Sequence, residues 1–168
     1  MDVIPYEIER KFLIAYPDLN WLNACAERTE IEQTYLLSSA PGETARVRKR
    51  GRDGHYRYTH TVKTKITDMR RIEREREIGP EAYKELLLRA DPERQTIRKT
   101  RYCLPYKGQM LEIDVFPFWN DRAYLEIELQ MEGQKIFIPE EIRVLREVTG
   151  DARYTNAALA RSIPYETL

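Results

Sequence analysis

The chain has 168 residues, 42% hydrophobic and 33% charged, with a formal net charge of zero. This length supports one domain with a sizeable core and is too short for two comfortable ones. Zero net charge excludes global recruitment to nucleic acid or an anionic membrane, and no run approaches the roughly 20 apolar residues of a membrane span. The start, MDVIPYEIER, lacks the basic-then-apolar layout of a secretion signal. Cys25 and Cys103 have no CxxC or Cys/His spacing. They read most simply as reduced thiols of a cytoplasmic protein, with a disulfide left open.

Strand-like runs recur along the chain. YEIERKFLI (6–14) comes first, and its Glu7, Glu9 and Lys11 share one face if it is a strand. DLNWLNACAERT (18–29) can form a helix with Leu19 and Leu22 on one side. EIEQTYLL (30–37) reads as a strand. TARVRKRG (44–51) and YRYTHTVKTK (56–65) flank a hairpin turn at Asp53 and Gly54. RRIEREREI (70–78) is the next strand, and a helix over 79–91 starts with Pro80 in its first turn. Strands over 96–106 and 109–118 meet at the turn YKGQ, and 123–131 is another. A short helix over 139–150 and a final one over 156–163, capped by Asn156, complete the chain. This predicts a mainly β fold of about eight strands, most of them antiparallel neighbours.

The strands sort their charges. Glu112 and Asp114 oppose Leu111, Ile113 and Val115, and Glu126 and Glu128 oppose Leu125, Ile127 and Leu129. Arg46, Arg48 and Arg50 share a face, as do Thr61, Lys63 and Lys65. Glu73, Glu75 and Glu77 oppose Arg74 and Arg76. From Arg46 to Arg76 there are twelve Lys or Arg against four Asp or Glu; from Glu112 to Glu147 there are four against nine. An open sheet would solvate both patches. A closed barrel with these faces inward would need a polyanion for the bases and metal ions for the acids.

On spacing alone, the pairs Glu7/Glu9 and Glu126/Glu128 suit either a wet sheet face or an oxygen site for Mg²⁺ or Mn²⁺. The bases Arg46, Arg48, Lys63, Lys99 and Arg101 suit phosphate or a solvated surface. Acidic strands would repel a nucleic acid laid over them, so a small, highly charged anion with metal accommodates both signs better. Other catalytic patterns are absent: GRDGHYR is no P-loop, and no G-x-S-x-G elbow occurs. His55 and His60 read as surface or structural residues.

EIERK resembles the E-x-E-x-K motif of the CYTH family, the triphosphate tunnel metalloenzymes. The remaining motifs follow in order: EQTYL (32–36), ARVRKRG (45–51), TVKTK (61–65), RIEREREI (71–78), RKTRY (98–102), LEIDVF (111–116), LEIEL (125–129) and EVTGDARYTNAALA (147–160). The resemblance covers nearly the whole chain. It implies a single domain over 1–168, an eight-stranded antiparallel β-barrel with a hydrophilic interior and flanking helices.

The resemblance also implies roles. Glu7, Glu9, Glu126 and Glu128 match the principal metal-side carboxylates, with Glu73, Glu75, Glu112 and Asp114 as further interior acids. Arg46, Arg48, Lys63, Lys99, Arg101 and Arg153 match a phosphate clamp. Lys11 and Tyr35 match a proton-transfer pair, and Lys99 is a second candidate base. The implied activity is Mg²⁺- or Mn²⁺-dependent hydrolysis of inorganic triphosphate to pyrophosphate and phosphate. Adenylate cyclase, thiamine or nucleoside triphosphatase, and a non-catalytic polyphosphate-binding module are the competing readings. The expected partner is a small-molecule triphosphate, with no nucleic acid or membrane; a homodimer is compatible. The chain departs from the family pattern at Ala152, where a basic residue is usual, and at Arg74 and Arg76, which should face outward.

Overall fold

The computed structural model describes residues 6–38 and 40–168. The first five residues, part of the stretch read above for a secretion signal, lie outside the described residues, as does Ser39. The strands are β1 (Tyr6–Ala15), β2 (Glu27–Tyr35), β3 (Glu43–Arg52), β4 (His55–Lys65), β5 (Arg70–Ile78), β6 (Ile97–Tyr106), β7 (Gln109–Val115), β8 (Arg122–Leu129) and β9 (Val144–Glu147). The helices are α1 (Leu19–Cys25), α2 (Pro80–Leu87) and α3 (Asn156–Leu159).

The strands pair antiparallel in the order β5-β4-β3-β2-β6-β7-β8-β1. Tyr6–Ile8 of β1 then pair with Arg70–Ile72 of β5 and close an eight-stranded barrel. Both two-residue hairpin turns take positive φ at both positions, 53° and 78° at Asp53 and Gly54, 48° and 75° at Lys107 and Gly108. That twist matches the flanking strands.

Alternation puts charge inside the barrel and the main apolar core outside its wall. Ile8 and Phe12 of β1, Leu111 and Ile113 of β7, and Leu125 and Ile127 of β8 pack outward with Leu22 of α1 and Ile142. Tyr83 of α2 covers Ala45 and Val47 of β3. Inside, Leu13 and Tyr124 continue the faces of Lys11 and Glu126, and with Tyr35, Phe116, Trp119 and Tyr154 they form an aromatic plug. Phe116 and Trp119 meet the Tyr124 ring edge-on, with centroids 5.2 and 5.3 Å away. Apolar residues therefore seal one end of the interior and leave the charges in the remainder.

Four expectations are corrected. The segment over 139–150 forms no helix; it supplies β9, which pairs with Phe12–Ile14. Those residues lie beyond the reach of β5, so β9 satisfies backbone groups that would otherwise form a bare edge. The first helix ends at Cys25, capped by Asp18, because β2 already begins at Glu27. The second ends at Leu87. The last covers only Asn156–Leu159, and Thr155 rather than Asn156 caps it by accepting from the Ala158 N–H. Among the described residues, no helix is long and apolar enough to cross a membrane.

Candidate active site

The inner faces of the eight barrel strands and the loop over 148–157 enclose a cavity of about 550 Å³. Glu7, Glu9 and Lys11 of β1, Glu112 of β7, and Glu126 and Glu128 of β8 line one side. Arg46, Arg48 and Arg50 of β3, and Lys63 and Lys65 of β4, line the other. Arg71, Glu73 and Glu75 of β5, Arg101 of β6 and Tyr35 of β2 also face it. Ladder register stacks like charges: Glu9 lies opposite Glu128, and Glu126 opposite Glu112. Carboxylates directly opposed across strands repel, so this face opposes folding unless cations answer it.

Ion pairs answer it in part. Lys63 Nζ lies 3.1 Å from Glu7, Arg71 lies 3.3 Å from Glu9, and Lys11 Nζ lies 3.1 Å from Glu126. Lys11 Nζ also donates to the Tyr154 carbonyl at 3.3 Å and sits 4.9 Å from the Tyr124 ring centre. Arg101 forks onto Asp114 at 2.7 and 2.9 Å and reaches Glu112 at 2.6 Å. Lys99 Nζ donates to Asp114 at 2.7 Å and to Asn156 at 3.1 Å. Glu75 accepts from Thr61 at 2.7 Å.

The CYTH domain family profile matches residues 5–154. The chain belongs to the CYTH domain family. It is 36% identical to an inorganic triphosphatase of Nitrosomonas europaea over 94% of this chain and 99% of that protein. It is 34% identical to an inorganic triphosphatase of Acetivibrio thermocellus, covering 95% and 96% of the two chains. A crystal structure of an inorganic triphosphatase superposes with a TM-score of 0.59 at 31% identity, covering 98% of each chain.

Within this CYTH domain, both signs of charge remain incompletely balanced. Burial, then Glu126 and Glu7, push the Glu9 carboxyl up to about 7, even with Arg71 beside it. Burial also raises Glu112, with Glu126 and Asp114 adding to the shift. Glu128 is raised by burial and by Glu7, Glu112 and Glu9. On the basic side, burial, Arg46 and Arg101 lower Arg48 to about 9. The Nε atoms of Arg46 and Arg71 are buried without a hydrogen-bond partner among the described residues. Crowded carboxylates beside unspent guanidinium donors are the donor set that a divalent cation and a phosphate chain would satisfy together. As the side chains stand, no three His, Cys, Asp or Glu among the described residues are gathered to hold a metal ion. A divalent ion held by these carboxylates would have to draw them from their Lys and Arg partners.

Most of the expected site residues converge on the cavity, and three do not line it. Lys99 and Asp114 lie behind its wall, with side chains 0% and 1% exposed. Arg153 is exposed and forks onto Asp151 at 2.9 and 3.2 Å. Arg74 and Arg76 point outward as expected, each exposed. Sequence reasoning missed Arg71, whose two-residue offset from Glu73 places it on the same face. It also missed Gln33, two residues before Tyr35, and the wall over 149–157 that Thr149 and Asn156 help to form.

Proposed function

We propose that this protein, as a single domain over 1–168, hydrolyses inorganic triphosphate to pyrophosphate and phosphate with Mg²⁺ or Mn²⁺ in the cytoplasm. The observation that carries the reading is the cavity with carboxylates pushed toward neutrality on one wall and guanidinium donors unspent on the other. Either ligand alone would relieve one wall only. The relatives at 34 and 36% identity, both inorganic triphosphatases, support the same reading.

Glu7, Glu9, Glu126 and Glu128 would hold the metal, with Glu73, Glu75 and Glu112 as neighbouring acceptors for its water. The metal would withdraw charge from the phosphates and lower the pKa of bound water. Arg46, Arg48, Arg101 and Lys63 would bind the phosphate oxygens. Lys63 can turn from Glu7 to substrate, which frees a carboxylate as it adds a phosphate donor. A water oxygen would then attack a terminal phosphorus as the bond to the bridging oxygen breaks; pyrophosphate would depart with that electron pair and take up the proton that the water gives up.

For Lys11, burial opposes the charged form, but Glu126 and Glu9 outweigh it and raise the pKa. This supports Lys11 as a fixed positive charge near the reacting phosphate rather than a base. Burial, Arg101 and Arg48 lower Lys99 to about 7 despite Asp114. Its place behind the wall supports a role in holding Asp114 and Arg101. Asp114 is likewise read as a support for the clamp rather than a metal ligand.

Phosphate release from tripolyphosphate, ATP and thiamine triphosphate, measured side by side with Mg²⁺ and Mn²⁺ and checked for cyclic AMP, tests the reading. Tripolyphosphate should be cleaved fastest in one of the two metals; preferential cleavage of ATP, or cyclic AMP, would replace the substrate assignment. Arg48→Ala should raise KM for tripolyphosphate about tenfold or more, the scale of a charge-assisted hydrogen bond. A change confined to melting temperature would return Arg48 to a structural role.

A further inference from the structure

One fully buried side chain ties two of the cavity's hydrogen-bond donors together. Gln33 of β2 lies directly opposite Arg48 of β3 and is 0% exposed. Its Oε1 accepts from Arg48 Nε at 3.2 Å and from Arg48 Nη2 at 2.9 Å. Its Nε2 donates to the Tyr35 hydroxyl at 2.9 Å. The chemistry of the partners fixes the direction of this chain. A guanidinium has donors only, so the amide oxygen must face Arg48 and the amide nitrogen must face Tyr35. The Tyr35 hydroxyl is thereby made an acceptor, and its own proton is left for another acceptor. Tyr35 and Arg48 both line the cavity. Among the described residues, the Tyr35 hydroxyl makes no second hydrogen bond that would use the proton.

The amide also does what a carboxylate could not. Glutamate in its place would accept from Arg48 equally well, but would cancel the guanidinium charge. It would accept from Tyr35 as well, turning the hydroxyl proton away from the cavity.

We infer that Gln33 is a positioning residue for triphosphate, aiming Arg48 and the Tyr35 hydroxyl proton at the bound phosphates while leaving the guanidinium charge unspent. The inference rests on the triphosphatase reading above. It assigns Tyr35 the part of a hydrogen-bond donor to substrate, prepared by Gln33.

The test is the near-isosteric Gln33→Glu, with Tyr35→Phe and the double variant. Tripolyphosphate binding is measured by calorimetry in EDTA, separately from turnover. Gln33→Glu should weaken that binding and raise KM about tenfold or more, with no fall in melting temperature. It should also lower kcat, because the Tyr35 proton now goes to the new carboxylate. Tyr35→Phe alone should lower kcat, and Gln33→Glu added to Tyr35→Phe should lower it no further. Unchanged binding and kinetics in Gln33→Glu, or kcat losses that multiply in the double variant, overturn the inference. Unmutated protein that neither binds nor cleaves tripolyphosphate overturns the reading beneath it, and that failure is distinguishable because it appears without any substitution.

Discussion

Replacing Glu9 by Gln is expected to lower turnover on tripolyphosphate roughly a hundredfold or more, while the melting temperature holds or rises. The two effects have one cause. Burial, Glu126 and Glu7 hold the Glu9 carboxyl at about 7, far above its unfolded range of about 4.3. A carboxylate with a raised folded pKa opposes folding. Between about pH 4.5 and 7 the native state binds more protons than the unfolded chain, so this group's contribution to stability falls as pH rises. Glu9→Gln removes that slope and keeps the shape, but it removes a negative charge offered to the metal. Paired urea unfolding at pH 5 and pH 7, with turnover at limiting Mg²⁺, checks both halves. Glu128→Ala should likewise reduce turnover, since Glu128 faces the same acidic cluster. Wild-type rates in both variants would contradict the assignment.

Asp114→Asn is expected to produce the largest loss of stability, about 3–5 kcal/mol. Asp114 receives the Arg101 fork and Lys99 at 2.7 Å, and all three side chains are buried. The neutral amide takes the shared counter-charge from the buried Arg101 guanidinium and Lys99 amine; among the described residues Glu112 still pairs with Arg101 and Asn156 still accepts from Lys99. Burial raises the Asp114 pKa, but Arg101 and Lys99 outweigh it and hold the carboxyl well below its usual range. Its contribution is therefore present above the unfolded carboxyl pKa of about 4 and is lost as pH falls toward the folded value. Urea unfolding should show the gap between wild type and variant at pH 7 and a narrowing gap below pH 4. Equal stabilities at pH 7 would show that Asp114 does not anchor the two cations.

The sequence carried the faces of the strands more completely than their depths. Period-two spacing put Glu7 with Glu9, Arg46 with Arg48, and Glu126 with Glu128 on shared strand faces but left open whether those faces were wet or enclosed; the family resemblance implied the interior, and barrel closure turns these faces and Lys63 inward. The same rule covers Arg71, in phase with Glu73, and Gln33, in phase with Tyr35. Phase does not say how far along the barrel a residue lies or what covers it. Lys99 and Arg101 are two residues apart on one face, yet Lys99 is sealed behind Asp114 and Asn156 while Arg101 reaches the cavity. Nor does local propensity report an unpaired edge elsewhere. Val144–Glu147 became a strand because Phe12–Ile14 offered one. Arg153 matched a motif position, but Asp151 two residues earlier holds its guanidinium by a local fork.

On the proposed function, the two walls act only when a divalent metal and a triphosphate meet between them. The most direct test is phosphate release from tripolyphosphate by the full chain, first treated with EDTA and then titrated with Mg²⁺ or Mn²⁺. Chelation should remove the activity, and one of the two ions should restore it. Hydrolysis undiminished by EDTA would contradict the metal requirement.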